Sequence, residues 1–294
     1  MTATTTGQRG RHLLATEETD FAVRAPGAGG APSLTLRLPG EAPPTDDAPA
    51  AVGARPLNRR PPSWPGDPDP LGGNELWRTV TPSTMLAGLR ETAAAVQLLQ
   101  ALDLDRLNGL RFRMATARPA TGRRDRHQVP GRTFGTIGAL STLLSWPGQA
   151  RVDLTVAAAG AATAALAQRR VSGHPDAALA MRWVVALAVA FPGDPMALAP
   201  LLLQVRWFDA GEEFVLPARW PSALLSGGAV AVSGAGSAEV GAGLGAASTN
   251  PLAFVTGLQP RAGRESGPPP QHELARAVQV ARRLAARPPL PRHR

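Results

Sequence analysis

Phosphate binding by arginine is the chemistry that the sequence indicates most strongly. Seven arginines lie between Arg111 and Arg132, against one acid, Asp125, and Phe112 offers a stacking surface among them. A guanidinium binds phosphate with two parallel hydrogen bonds and stacks on bases, so this segment predicts a groove for single-stranded nucleic acid. The alternative is a solvated charged loop. The predicted RNA-binding residues here are Arg111, Arg113, Arg118, Arg123, Arg124, Arg126 and Arg132.

The whole chain is basic, which agrees with a polyanionic partner. Its 294 residues carry a formal net charge of +9, and Lys is absent, so all 31 positive side chains are arginines. A GC-rich genome also produces an arginine-only composition, and this explanation stays open. A basic balance of this size favours nucleic acid over membrane as the partner.

Metal, thiol and cofactor chemistry find little support. Cysteine is absent, which excludes disulfides and thiolate ligands. The histidines are scattered without metal-ligand spacing. In "AVAVSGAGSAEVGAGLG" the third glycine of a dinucleotide-binding fingerprint would fall at Glu239, so the spacing fails. We expect no metal and no cofactor. The five histidines are His12, His127, His174, His272 and His293.

One group of carboxylates was considered for acid–base catalysis. "FDAGEEF" brings together Asp209, Glu212 and Glu213, but neither a histidine nor a nucleophile is indicated nearby. A solvated turn, or a partner for arginines, is the stronger interpretation. The sequence therefore predicts no catalytic residue and a protein that is not an enzyme.

The organisation of the chain follows from its 30 prolines and 31 glycines, which concentrate outside a helical region. We predict a flexible Pro/Gly-rich N-terminal arm at 1–73, a helical core with the Arg-rich segment at 74–208, and a C-terminal extension with one terminal helix at 209–294. "SLTLRLPG" within the arm alternates like a short strand that could add to a partner's edge. The predicted fold class is all-α, a compact helical bundle core flanked by long extended N- and C-terminal arms.

The core helices are predicted from capping residues and apolar spacing. The first begins near Pro82, a residue favoured in a first helical turn, and runs to about Leu102. Pro200 is expected to kink or divide the helix predicted over Pro195–Phe208. The further predicted helices are Thr133–Trp146, Arg151–Arg170, Pro175–Phe191, Pro195–Phe208 and Pro270–Arg287.

Membrane association is not expected. The N-terminus has no apolar leader segment, and the longest apolar run, Trp183–Phe191, is too short to cross a bilayer. We therefore predict a soluble intracellular protein without a membrane partner.

The stretch "LWRTVTPSTMLAGLRE" carries Trp77, Val80, Pro82, Thr84 and Met85. With one inserted residue, this order resembles the Trp and Val-Pro-Thr-x-Thr-Met start of the helical core in coat proteins of flexuous filamentous RNA viruses, the potexvirus or alphaflexivirus type. Shorter matches follow in the family's order. They are "LAMRWVVALAVAF" with Arg182, "LAP" at 198–200, "LPARW" at 216–220 and "TNPLA" at 249–253.

The resemblance implies a non-enzymatic structural coat protein that polymerises helically around single-stranded RNA. Self-association into a filament would use the N-terminal arm, and the protein would be found in the virion or host cytoplasm. Arg182 matches the family's core arginine and joins the predicted RNA-binding residues. Because "LGAAS" stands where the family has an aspartate partner, phosphate becomes its expected counter-charge, with Asp209 or Glu212 as alternatives.

A second interpretation comes from another class of protein. The chain would be a helical adaptor or secretion-associated interaction protein of a GC-rich bacterium, located in the bacterial cytoplasm and binding no nucleic acid. In that case the arginines reflect genome composition alone.

Overall fold

The computed structural model describes residues 21–24, 32–38, 71, 73–116, 135–171, 175–234, 238–246, 249–258, 275–279 and 282. The strands are β1 (Phe21–Arg24), β2 (Leu34–Leu38), β3 (Glu75–Thr79), β4 (Ser83–Leu89), β5 (Leu203–Phe208), β6 (Glu213–Leu216), β7 (Pro221–Ser226), β8 (Ala229–Gly234) and β9 (Ala238–Gly243). The α-helices are α1 (Thr92–Leu102), α2 (Asn108–Ala115), α3 (Thr136–Leu144), α4 (Gly148–Ala167), α5 (Pro175–Ala190), α6 (Ala199–Leu202) and α7 (Pro251–Gly257), with 3₁₀ turns at Asp105–Leu107 and Pro195–Leu198.

The strands form two antiparallel sheets. The first, sheet A, has the order β1-β8-β3-β6, and the second, sheet B, has the order β5-β4-β7-β2-β9. β2 lies between β7 and β9, where Leu36 is opposite both Pro221 and Val240. β1 pairs with β8 along its whole length. Both sheets therefore join the beginning of the chain to its last third.

The chain passes from one sheet to the other at two corners that contact each other. At the β3–β4 corner, the amides of Val80 and Thr81 donate to the Gly228 carbonyl at 2.7 and 3.2 Å. At the β7–β8 corner, Gly227 has φ +86°, and a Cβ there would meet the carbonyl of Pro82. Only glycine fits this close approach without strain. The paired corners hold the two sheets face to face.

The helices cover the outer face of sheet B. Side chains alternate across a strand, so Leu34 and Leu36 of β2 point to one face and Arg37 to the other. Both leucines are fully buried in the main hydrophobic core, together with residues of α1 to α5. Within this layer α4 packs along α5.

Aromatic and aliphatic side chains fill the space between the two sheets. Trp77 of β3, Met85 of β4 and Phe208 of β5 are buried there. The ring of Phe214 stacks on that of Phe208 with a centroid distance of 4.0 Å, and on that of Trp77 at 6.2 Å. These stacked rings and buried side chains form an apolar contact between the two sheets near β5.

A charged cluster lies at another part of the interface between the sheets. Arg37 Nε donates to Glu75 Oε1 at 2.8 Å, and its Nη2 donates to Glu239 Oε2 at 2.9 Å. Trp77 Nε1 donates to the other Glu75 oxygen at 3.0 Å. These bonds offset the cost of burying the Glu75 carboxylate, whose side chain is 4% exposed.

The outer face of sheet A is covered by helical residues 275–279. Ala277 is fully buried there against Leu76, Val230 and Val232. Glu213 accepts hydrogen bonds from Arg78 on the neighbouring strand and from Arg282, whose Nε lies 3.1 Å away. The order of layers is therefore helices, sheet B, sheet A and the C-terminal helical residues.

The prediction of an all-α bundle with extended arms is wrong, because the strands did not show strand periodicity. Ser83–Leu89 is buried on both faces along nearly its whole length, so apolar and polar residues do not alternate. The β8 and β9 segments, "AVAVSG" and "AEVGAG", are short and small-residue-rich. The strand predicted in "SLTLRLPG" is confirmed as Leu34–Leu38, but it pairs within its own chain.

Several predicted helices are confirmed in part. Thr136–Leu144, Gly148–Ala167 and Pro175–Ala190 lie within a few residues of their predicted bounds. The first predicted helix instead divides into β4 and α1 at Arg90. The helix predicted over Pro195–Phe208 divides at Leu203, where β5 begins.

The domain boundaries at 73 and 208 stay a prediction. β1 and β2 lie in the predicted arm and pair with strands of the predicted extension. These pairings show which strands are neighbours, but they do not show where one folding unit ends and the next begins.

One described helix, α4, is long and apolar enough, at 20 residues, to cross a membrane. Length and composition alone are weak evidence for a span. The helix packs along α5, and its Leu154, Ala158 and Ala162 are fully buried in the core.

Candidate functional site

An open cleft of about 540 Å³ lies where sheet B meets the helical layer. The junction of β4 and α1 contributes Arg90 and Glu91, and the first turn of α5 contributes Asp176. β5 is the edge strand of sheet B and forms one wall of the cleft, and the turn after it adds Glu212. The volume is within the range that holds small-molecule ligands.

Arg90 is held in place through its backbone. Its amide donates to the Leu202 carbonyl at 2.9 Å, and its carbonyl accepts from Thr136 Oγ1 at 2.9 Å. These bonds tie the start of α1 to the end of α6 and to the first turn of α3. The position of Arg90 is therefore set by three helices.

The guanidinium of Arg90 is incompletely satisfied. Nη2 has a long 3.4 Å hydrogen bond to the Pro200 carbonyl, and the buried Nε has no partner in the described part of the chain. Burial lowers the pKa of this guanidinium, and the nearby Asp176 carboxylate opposes that shift. A partly desolvated cation with few hydrogen bonds strongly favours an anionic ligand.

β5 places a second arginine and an aromatic ring on the wall of the cleft. Arg206 donates from Nε and Nη2 to Gln204 Oε1 at 3.2 and 2.9 Å. The Gln204 amide in turn donates to the Leu89 carbonyl at 3.2 Å. Trp207 is 59% exposed, so its ring is accessible to a ligand.

Three carboxylates line the same cleft. Glu91 immediately precedes α1, and Asp176 lies in the first turn of α5. Glu212 accepts from the backbone amide of Asp209 at 3.0 Å, which closes the β5–β6 turn. Carboxylates accept hydrogen bonds from ligand hydroxyls, and a carboxylate within reach of a substrate proton can remove it as a general base.

Only three of the arginines predicted to bind RNA lie in the described residues. Arg111 is half-buried and Arg113 exposed on α2, beside an exposed Phe112, and Arg182 is exposed on α5. None of the three lines the cleft. Their contact with any ligand stays a prediction. Arg118, Arg123, Arg124, Arg126 and Arg132 lie outside the described residues.

Sequence reasoning missed the residues of the cleft. Treating 195–208 as one kinked helix puts Gln204 and Arg206 on opposite faces, whereas a strand puts them on the same face. The alternation within "LQVRWF" was the available signal. Glu212 was noted as part of an acidic group, and its predicted turn is confirmed.

No protein-family model and no curated protein matches the chain. Its fold is similar to that of a zinc-bound mannose 6-phosphate isomerase, with a TM-score of 0.52 and 20% identity over 84% of this chain and 56% of that chain. The apo form from Salmonella typhimurium gives a TM-score of 0.52 and 20% identity over 88% and 59%. A mannose 6-phosphate isomerase bound with zinc and yttrium gives 0.51 and 19% over 84% and 57%.

These likenesses establish the fold. The chain spans less than two thirds of the length of each of these structures. The similarity extends over most of this chain, so it includes both the sheets and the helical layer.

The coat-protein resemblance is wrong, and with it the predicted structural function, the RNA partner and the filament, because the structural neighbours are sugar isomerases. The expectation of a non-enzymatic protein conflicts with the same neighbours, and the adaptor alternative finds no support in them. The short matches fall on different elements. Trp77 lies in β3, and Thr84 and Met85 lie in β4, where the family pattern would open a helix.

One of those short matches has a simpler cause. In "TNPLA" the Asn250 side chain accepts from the Ala253 amide at 3.0 Å, and Pro251 occupies the first helical position. Asparagine caps and first-turn prolines begin helices in unrelated proteins. Such a segment indicates a helix start and no particular family.

Two of these neighbouring structures contain zinc, an ion that needs several His, Cys, Asp or Glu side chains around one point. Across the ranges that the structure describes, no three His, Cys, Asp or Glu side chains converge on one point. All five histidines lie outside those ranges. The described side chains do not fit a zinc ion, and no metal ligand is assigned.

Proposed function

We propose that this protein is an enzyme that binds a phosphorylated monosaccharide in the Arg90 cleft and isomerises it. The observation that carries the proposal is the half-buried guanidinium of Arg90, whose enclosed Nε has no partner among the described residues, in a cleft that also exposes a tryptophan ring. The guanidinium suits an anion, and the ring of Trp207 suits the apolar face of a sugar. The fold of the sugar isomerases supports the same class of ligand.

The cleft has groups suited to moving a proton between neighbouring carbons of a sugar. In an aldose–ketose exchange, a base removes the proton from C2 and returns it to C1, while a hydroxyl proton passes from O2 to O1. We assign the base to Glu91, which adjoins Arg90 and lines the cleft. Arg90 would stabilise the negative charge that develops on the enediolate oxygens, with most effect where water is excluded.

Direct binding tests the proposal first. Wild-type protein is titrated by calorimetry with mannose 6-phosphate, fructose 6-phosphate and unphosphorylated mannose, and interconversion of the two phosphates is followed by NMR. We expect mannose 6-phosphate and fructose 6-phosphate to bind and to be interconverted. Arg90→Gln should slow the interconversion at least about tenfold, the equivalent of roughly 1.4 kcal/mol of activation free energy.

Arg182→Gln is the matched control, because it removes the same charge from an exposed position outside the cleft. It should leave the interconversion rate unchanged. If wild-type protein binds none of these sugar phosphates, or if both variants interconvert them as fast as wild type, the proposed function is wrong.

A further inference from the structure

The two arginines of the cleft differ in ways that suggest separate tasks. Arg90 is half-buried, its Nε is fully enclosed, and it lies where β4 ends. Arg206 is exposed on the edge strand β5. The Arg90 amide bonds to the carbonyl of Leu202, the residue that precedes β5, whereas Arg206 is the fourth residue of that strand. The two residues are therefore separated along the strand direction.

Gln204 lies between them and fixes the orientation of Arg206. Its Oε1 accepts from both Nε and Nη2 of Arg206, which occupies one edge of the guanidinium fork. Its Nε2 is anchored on the backbone carbonyl of Leu89. The side chain of Gln204 is therefore held at both ends and holds Arg206 in turn.

This arrangement leaves the second edge of the guanidinium, formed by Nη1 and Nη2, turned away from Gln204. In the described part of the chain, Arg206 forms hydrogen bonds with Gln204 alone and pairs with no carboxylate. A guanidinium edge with two parallel N–H groups matches two oxygens of a phosphate. Holding that edge in advance lowers the entropy cost of binding.

We infer that Arg206 is the phosphate-binding residue of the cleft and that Gln204 is its positioning residue, which leaves Arg90 for the reacting end of the sugar. This inference rests on the proposed function and names the ligand's terminal phosphate as the group recognised at β5. The exposed position suits a phosphate, which keeps part of its hydration, and the enclosed position suits a charge that appears only during reaction.

The inference predicts a division between binding and turnover. Arg206→Gln should raise KM for the phosphorylated sugar about 30-fold with little change in kcat, because the phosphate does not change during the reaction. Arg206→Lys should be intermediate, since it keeps the charge and loses the fork. Arg90→Gln should lower kcat instead.

Gln204→Leu gives the sharper test of positioning. It removes the clamp but keeps Arg206, so KM for the phosphate should rise about fivefold, with unphosphorylated mannose unaffected. Gln97→Leu is the matched control, because Gln97 is exposed on α1 outside the cleft. Circular dichroism melting curves check that each variant folds.

Inorganic phosphate serves as a second probe in the same calorimeter. It should bind wild type weakly, compete with the sugar phosphate and be lost in Arg206→Gln but retained in Arg90→Gln. If sugar phosphates bind wild type and Arg206→Gln equally well, the inference is overturned while the proposed function survives. If they bind neither, the proposed function itself has failed.

Discussion

Arg90 combines a function with a cost to stability. Its buried Nε lacks an acceptor among the described residues, and burial lowers the pKa of its guanidinium. An unsatisfied buried donor costs about 1–3 kcal/mol. Arg90→Met keeps the aliphatic packing and removes the donor, so we expect the free energy of unfolding to rise by about 1 kcal/mol while isomerisation is lost. Urea denaturation measures the change, and a lower midpoint would show that the guanidinium is satisfied by an acceptor elsewhere in the chain.

For single residues, the sequence shows which residue types are present but not which residues are neighbours in space. Arg90 and Arg206 are ordinary members of an arginine-rich chain, and nothing local separates them from the exposed Arg182. What distinguishes them is the approach of β4, β5 and α5, which brings residues 90, 176 and 206 to one cleft. That approach depends on long-range pairing, which residue spacing does not show.

The C-terminal helical residues 275–279 are attached to sheet A by a charge that responds to pH. Burial acts to raise the pKa of Glu213, but the hydrogen bonds and charges of Arg282 and Arg78 outweigh it, so the pKa lies below its ordinary value of 4.5. A lowered folded pKa contributes stability above pH 4.5, and that contribution is lost as the pH falls through the folded value. Acid should therefore weaken docking of this helix.

Hydrogen exchange, corrected for intrinsic rates, measures the docking at residues 275–279. Protection should decrease as the pH falls below about 4.5 in the wild type. Glu213→Gln should show weaker protection at neutral pH and little further change in acid. Equal pH dependence in both proteins would mean that the apolar contacts of Ala277 alone hold the helix.

Among the elements, helices were predictable from capping and strands were not. Pro175 at the first position and the long apolar run after it mark α5 without tertiary information. β4 is covered by helices on one face and by sheet A on the other. β8 is covered by sheet B on one face and by helical residues 275–279 on the other. A strand that is buried on both faces does not alternate apolar and polar residues. Its short apolar sequence is then equally compatible with a helix.

The whole molecule depends on a strand near its beginning. β2 fills the gap between β7 and β9, and its Leu34 and Leu36 are fully buried against the helices. Deleting residues 1–60 removes β1 and β2 and opens both neighbouring edges, so we expect no cooperative thermal transition.

Leu36→Ala should cost about 3 kcal/mol of unfolding free energy. Leu252→Ala, at a position 79% exposed, should cost almost nothing.

The pairing of β2 with β9 also sets when the protein can fold during its synthesis. Arg37 and Glu239 are 202 residues apart in the chain and adjacent in sheet B. A ribosome adds about 5–20 residues per second, so β9 is synthesised on the order of tens of seconds after β2. During that interval Leu34 and Leu36 lack their native cover, which makes the nascent chain a natural client for chaperones that bind extended apolar segments.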